Sequence, residues 1–222
     1  MTTRTRIKVC GFTREQDLQA AVAAGVDAVG FVLYDKSPRY VSPQRAGALA
    51  RLLPPFVTPV LLFVNASDTL LQEAAQAVPH AIWQFHGDEP PERCHAVTHN
   101  GQRAFLRAAR IPLDADGGFD LVEFSHQYSY AQAILLDAHV QGYGGGGKVF
   151  NWSRLTTNVS VPLVLSGGLT PANVGDGIAC LRKLSPSLSV DVSSGVESAK
   201  GIKDADKIRA FVAAVRAADA QS

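Results

Sequence analysis

Two residues of this chain are suited by type and position to move protons. Cys10 ends the apolar run Arg6-Ile7-Lys8-Val9-Cys10 and is followed by Gly11. Asp137 follows Ala133-Ile134-Leu135-Leu136, a run that is otherwise wholly apolar. Two further stretches suit an anion. Ser166-Gly167-Gly168-Leu169-Thr170-Pro171 follows Val161-Pro162-Leu163-Val164-Leu165, and Asp191-Val192-Ser193-Ser194-Gly195-Val196 follows Leu188-Ser189-Val190. Ser and Gly let the main chain approach a ligand closely. Thr170-Pro171 reads as an N-cap followed by a first helical residue. Two adjacent strand-to-helix turns of this kind would present N–H groups to a phosphate dianion. A base, an acid and a phosphate cradle together point to a sugar phosphate held between Cys10 and Asp137. Each residue also has a plainer reading. Cys10 fits as a small buried hydrophobe, Asp137 as a cap on the following loop, and Gly167-Gly168 as a tight turn.

Other polar residues gather at the same kind of position. Tyr34, His86, Arg107, Ser166 and Asp191 all fall at or just past the end of a β-rich run. His86, in Gln84-Phe85-His86-Gly87-Asp88-Glu89, suits either a substrate contact or a bond to the loop backbone. Arg39, in Lys36-Ser37-Pro38-Arg39-Tyr40, has a fork matched to a carboxylate, or is a solvated loop charge. Lys8 lies two residues before Cys10, so in a strand both face the same side. A buried ammonium there needs a partner, and Asp191 is the natural one if the last strand lies beside the first. The remaining His residues are scattered and, with Cys10, Cys94 and Cys180 widely spaced, give neither a metal site nor a disulfide framework.

The elements that must carry these residues alternate along the chain. Strands are expected at 6–11, 27–34, 58–65, 81–86, 103–110, 133–138, 161–165 and 188–190. Helical patterns follow most of them. Thr13-Arg14-Glu15-Gln16 matches a capping box, and Ser42-Pro43 and Ser67 read as further helix starts. A short helix is expected near 119–125, a weak one after Trp152, and a last one over 204–218. Eight such units in 222 residues fit a single-domain (β/α)8 barrel, the TIM barrel of the α/β class, spanning 1–222. A doubly wound sheet fits worse, because no Gly-x-Gly-x-x-Gly follows the first strand. In a barrel the strand ends named above share one mouth, where phosphate is commonly held by the loops after strands seven and eight.

Hydrophobic residues make up 46% of the chain and charged residues 18%, enough to bury a sizeable core. A formal net charge of +1 with no basic block argues against nucleic acid or an anionic membrane surface. No apolar run reaches the ~18 residues of a membrane span, and the start lacks a signal-peptide pattern. A cytoplasmic enzyme is the expectation.

At this point the motifs resemble a known family. Lys8-Val9-Cys10-Gly11-Phe12-Thr13 is similar to the Lys-Ile-Cys-Gly-x-Thr opening of the phosphoribosylanthranilate isomerases. The loop from Phe31 to Pro43, Gln84-Phe85-His86-Gly87-Asp88-Glu89, Leu136-Asp137-Ala138, Gly144 to Trp152, Ser166 to Val174 and Asp191 to Glu197 continue the match in order. The resemblance implies an Amadori rearrangement of N-(5-phosphoribosyl)anthranilate to 1-(2-carboxyphenylamino)-1-deoxyribulose 5-phosphate in tryptophan biosynthesis. It implies Cys10 as general base and Asp137 as general acid, with no cofactor and no metal. Phosphate is expected at Gly167, Gly168, Ser194 and Gly195, with help from Gly145, Gly146 and Gly147, and the anthranilate carboxylate at Arg39. The resemblance also leans towards a monomer. Two positions depart from the family pattern: Gly146 stands where Thr is usual, and Asn151 where Asp is usual.

A histidine-pathway aminoaldose isomerase on the same scaffold would show a half-barrel repeat and an Asp in place of Cys10; neither is present. A non-catalytic sugar-phosphate sensor would have favoured loss of Cys10 or Asp137, and both are retained.

Overall fold

Eight short apolar runs become eight parallel strands in this computed structural model, which describes residues 4–112, 119–138, 159, 161–185 and 187–221. They are β1 (Arg6–Cys10), β2 (Ala28–Val32), β3 (Thr58–Phe63), β4 (Ile82–Phe85), β5 (Phe105–Ile111), β6 (Ala133–Ala138), β7 (Leu163–Leu165) and β8 (Leu188–Val192). Each pairs with the next in sequence, and β8 closes on β1 with Lys8 opposite Asp191. The α/β barrel class expected from the alternation is the one observed.

Helices cover the outer face: α1 (Glu15–Ala24), α2 (Pro43–Ala50), α3 (Asp68–Ala77), α4 (Pro91–Val97), α5 (Leu121–Gln127), α6 (Val174–Leu181) and α7 (Ala205–Ala220). Ser42 and Ser67 cap their helices as expected, accepting from Arg45 N and Leu70 N at 3.1 and 3.3 Å. Two expected caps are corrected. Arg14, not Thr13, is the N-cap of α1, because the Thr13 hydroxyl donates to Gly201 O at 2.9 Å. At Thr170-Pro171 the chain makes a turn first, and α6 begins only at Val174. Asn173 holds that turn, accepting from Thr170 N at 2.8 Å and donating to Gly168 O at 3.0 Å. The weak helix expected after Trp152 lies outside the described residues. None of the described helices is long and apolar enough to cross a membrane.

Strand alternation sorts the side chains into two shells. Phe63, Trp83, Phe85 and Phe105 face the helices and pack ring on ring, with centroids 5.2 Å (Phe63–Trp83), 6.1 Å (Trp83–Phe85) and 5.6 Å (Phe85–Phe105) apart. They belong to the large apolar core between sheet and helices. Ala108, Ala133, Leu135 and Val164 form a separate small cluster. These alternate positions fill the barrel interior, and the same inward set carries Lys8, Gln84, His86 and Asp137. Apolar packing outside therefore fixes polar groups inside.

After β8 the chain makes a 3₁₀ turn (Ser194–Val196), then a hairpin of β9 (Glu197–Ala199) and β10 (Ile202–Lys203). The last helix, expected over 204–218, is α7 (Ala205–Ala220), but the turn after β8 does not open a helix directly. The hairpin intervenes and carries Glu197 and Lys203 back toward β1.

At the other end, Asp219 of α7 ties three elements. Its carboxylate accepts from Thr5 N at 3.0 Å, from Thr5 Oγ1 at 2.6 Å and from Arg182 Nη2 at 2.6 Å. Burial pushes this carboxyl up, but the bonds from Thr5 and Arg182 prevail and hold it below its ordinary value. A lowered folded pKa contributes stability above the unfolded value of about 3.9 and loses it as pH falls through the folded value. Asp219→Ala should cost about 2–3 kcal/mol at neutral pH, read from the urea midpoint. The gap between variant and wild type should close as the pH is lowered below the carboxylate range.

Candidate active site

Cys10 stands at the C-terminal end of β1, 4% exposed, in the middle of buried charge. Lys8 Nζ lies 2.8 Å from Asp191 Oδ1, the pairing anticipated from strand alternation and closure of β8 on β1. A second network adjoins it. Arg39 Nε and Nη2 donate to Glu197 Oε1 and Oε2 at 2.7 and 2.8 Å. Lys203 Nζ donates to Glu197 Oε1 at 2.9 Å and to Ser193 O at 3.1 Å, and Ser193 Oγ donates to Cys10 O at 3.0 Å. The main chain of the thiol and the Arg39 fork are thus joined through Ser193, Lys203 and Glu197.

Burial pushes the Cys10 thiol above its ordinary value; Lys8 and Lys203 pull it down, and Asp191 pushes it up. Burial alone would lower the Lys8 ammonium, and the Asp191 carboxylate reverses this and holds it above its usual value. Lys203 is lowered by burial, with Glu197 opposing. The Glu197 carboxyl, pushed up by burial, is held down by Arg39 and Lys203. The ammonium groups beside the sulfur stabilise a thiolate once one forms, yet desolvation keeps the thiol protonated in the ligand-free chain.

Asp137 ends β6 on another side of the same mouth, 7% exposed. Its Oδ2 lies 2.9 Å from His86 Nε2, and its Oδ1 accepts from Ala138 N at 3.0 Å. His86 Nδ1 lies 3.0 Å from Gln84 Nε2. Of the two readings left open for His86, the structure adds a third: the ring holds the carboxyl. Arg107, expected at a strand end, lies within β5 on the helix-facing side with Phe105; it donates to Phe85 O at 3.0 Å and to Gly87 O at 3.1 Å, fixing the chain on both sides of the histidine.

The two Ser/Gly turns meet. Gly167 and Gly168 have φ of 77° and 67°, and a Cβ on Gly195 would lie 1.9 Å from Leu169 O. No side chain fits between the loop after β7 and the loop after β8. Gly167 also lies against Asp137, since a Cβ there would come within 2.9 Å of Asp137 Oδ1. Gly145, Gly146 and Gly147 lie outside the described residues. Among the described residues, no group of three or more His, Cys, Asp or Glu side chains is placed to hold a metal ion.

Sequence reasoning missed Glu197 and Lys203. It placed the Arg39 fork toward a ligand, and the structure places the Nε–Nη2 edge on Glu197 instead. That edge is satisfied intramolecularly because Arg39 is only 9% exposed and a buried guanidinium needs an anion. Nη1 is the part of the fork not bound to Glu197.

Residues 7–214 match the family described as N-(5'phosphoribosyl)anthranilate (PRA) isomerase. The N-(5'-phosphoribosyl)anthranilate isomerase of Methylibium petroleiphilum is 62% identical over 98% of this chain and 97% of its own length. That of Leptothrix cholodnii is 58% identical over 99% and 94%. Among solved structures, the phosphoribosyl anthranilate isomerase of Thermus thermophilus matches with a TM-score of 0.80 at 30% identity, covering 96% of this chain and 99% of that one. A phosphoribosyl anthranilate isomerase solved in complex with reduced 1-(O-carboxyphenylamino)-1-deoxyribulose 5-phosphate matches with a TM-score of 0.77 at 35% identity and the same coverage.

The thiol is positioned by an absence. Gly30 of β2 lies opposite Cys10, and a Cβ there would come within 2.5 Å of Sγ and 3.0 Å of Cys10 Cα. Gly30→Ala must therefore displace both sulfur and main chain. Turnover should drop by about 10²-fold, the effect of misplacing a reacting group by ~1 Å, with far-UV circular dichroism unchanged. Wild-type turnover in this variant would show that the sulfur position is not critical.

Proposed function

The chain belongs to the N-(5'-phosphoribosyl)anthranilate isomerase family, and we propose that it performs the family's Amadori rearrangement with Cys10 as general base and Asp137 as general acid. The observation that carries this reading is the pairing, at one barrel mouth, of a thiol set among ammonium groups with a carboxyl held by a histidine. The conversion of an aminoaldose to an aminoketose begins with two proton transfers. Asp137 gives its proton to the ring oxygen of the ribose as the C1–O bond breaks, leaving an iminium. Cys10 thiolate then takes the C2 proton, and the electron pair of that bond neutralises the iminium to an enolamine. The enolamine tautomerises to the ketone. Each positioned acid or base is worth about 10²–10⁴ in rate.

The iminium also answers the burial of the thiol. In the ligand-free chain desolvation outweighs Lys8 and Lys203. A bound cationic intermediate adds positive charge beside the sulfur at the step that needs a thiolate. Lys8 and Asp191 support the base as a buried pair, and His86 holds the acid. We place the phosphate at Gly167, Gly168, Ser194 and Gly195, with help from Gly145, Gly146 and Gly147, and the anthranilate carboxylate near Arg39 Nη1. Positive φ at Gly167 and Gly168 supports the phosphate cradle, since consecutive amides in such turns converge on an anion. Residues 1–222 act in this reading as one barrel domain, monomeric and cytoplasmic. Sedimentation at micromolar concentration checks the assembly, and a dimer would correct it.

The direct test is turnover of synthetic phosphoribosylanthranilate, followed by loss of its fluorescence. Cys10→Ser and Asp137→Asn keep the shape of each side chain and remove the working base or acid. Each should lower kcat by about 10²–10⁴ with little change in KM. Either variant retaining wild-type kcat would remove that residue from its role. Against pH, kcat/KM should be bell-shaped, its two limits belonging to the coupled pair. It should fall on the acidic side as the thiolate share of the free chain shrinks. Because the free thiol is raised, that limb should lie at higher pH in kcat/KM than in kcat.

For the phosphate site, Gly168→Asp places a negative side chain in the cradle. A rise in KM of about tenfold or more is expected from like-charge repulsion, with the fold retained. An unchanged KM would put the phosphate elsewhere.

A further inference from the structure

Behind Asp137 a line of three side chains runs into the barrel. Gln84 is fully buried and His86 is 6% exposed, two residues apart and facing the same interior. Gln84 Nε2, His86 Nδ1, His86 Nε2 and Asp137 Oδ2 are linked by contacts of 3.0 and 2.9 Å. Gln84 Oε1 is buried with no hydrogen-bond partner among the described residues. No second bond from a described residue therefore fixes the oxygen end of the amide.

A primary amide has a donor end and an acceptor end of nearly the same shape, and a neutral imidazole has one donor and one acceptor nitrogen. The line then has two self-consistent states. In the first, Gln84 NH₂ donates to Nδ1, His86 carries its proton on Nε2, and Nε2–H donates to ionised Asp137. In the second, the amide is turned over. Nδ1–H donates to Gln84 Oε1, and the O–H of protonated Asp137 donates to Nε2. The second state holds one proton more than the first, taken from solvent. Shifting that proton along the same 2.9 Å contact gives an imidazolium beside a carboxylate, with Gln84 Oε1 still the acceptor.

We propose that Gln84 is the positioning residue of the acid step: its amide turns over as the His86–Asp137 pair takes up the proton that Asp137 delivers to substrate. This rests on the assignment of Asp137 as the acid. An apolar residue of similar size would fill the same space but offer His86 neither end. The charged groups around the pair do not substitute for Gln84. Arg107 of β5 donates to the carbonyls of Phe85 and Gly87 and lies 3.6 Å from Glu89, which compensates its charge. Arg110, opposite Asp137 in register, binds Asp88. From β7 the residue against the carboxyl is Gly167, which brings no charge.

The test combines kinetics with ¹⁵N imidazole NMR on the full chain. In wild type, His86 should carry its proton on Nε2 above the alkaline limb of the kcat/KM profile, which reports the free chain, and Nδ1 should gain a proton as the pH falls through that limb. Gln84→Leu should remove the acceptor and move the alkaline limb to lower pH. Its kcat at neutral pH should fall by about tenfold or more, part of the 10²–10⁴ due to a general acid, with KM within about twofold. Gln84→Glu supplies a permanent acceptor and should return the limb to the wild-type position or beyond it. The inference is overturned if Nδ1 never gains a proton across the limb, or if folded Gln84→Leu keeps the wild-type limb. Failure of the acid assignment itself shows separately, as wild-type turnover in Asp137→Asn. The ring spectrum is recorded without substrate and reports on the amide in either case.

Discussion

Burying charge without leaving it unpaired is the condition on which this barrel mouth depends. Lys8, Asp191, Arg39, Glu197 and Lys203 are each 9% exposed or less, and a lone ion at any of those positions would cost several kcal/mol. The cost is met by reciprocal pairing: Lys8 with Asp191, and Arg39 and Lys203 with the one Glu197 carboxylate. Two cations on one carboxylate leave a surplus of positive charge next to Cys10. The same desolvation that demands the pairing raises the thiol, so the surplus acts only when a proton is ready to leave. In the proposed mechanism, the base is therefore held in reserve by burial and released by charge.

The surroundings of the proposed acid are built on a different plan. Among the described residues, no Lys or Arg pairs with Asp137, which bonds to the His86 ring and the Ala138 amide. Neutral partners can change places with the proton, whereas fixed cations would hold the carboxylate ionised. One mouth thus presents a thiol framed by permanent charges and a carboxyl framed by groups that can take or give a proton. The rings of Phe63, Trp83, Phe85 and Phe105 pack on the outer face of the strand that leads into His86.

The architecture and the placement of Cys10 and Asp137 at one barrel mouth were readable because they rest on local signals. Cys10 and Asp137 close apolar runs, and closure of eight alternating units puts strand ends together. Lys8 with Asp191 was also within reach, since it needs only alternation and the adjacency of first and last strands. What could not be read depends on contacts distant in sequence. Glu197 binds Arg39 across 158 residues, and His86 meets Asp137 across 51. Lys203 sits in Gly201-Ile202-Lys203-Asp204, which reads as a loop before a helix cap and gives no hint of a hairpin folding back. The misplaced caps have the same origin. Thr13 and Thr170 have the right type for an N-cap, but tertiary bonding captured the first hydroxyl and the Asn173 side chain organised the second turn.

The contact between Gly195 and Leu169 O makes the two Ser/Gly turns one mechanical part. Neither loop can be lengthened, widened or given a side chain at this point without moving the other. Loops of barrels usually vary independently, which is how one scaffold comes to serve many substrates. Here the two halves of the proposed phosphate cradle must drift together or stay as they are. Redesign for a bulkier or differently charged substrate would accordingly find its freedom in the loops around Arg39 and His86, and meet resistance at the glycine seam.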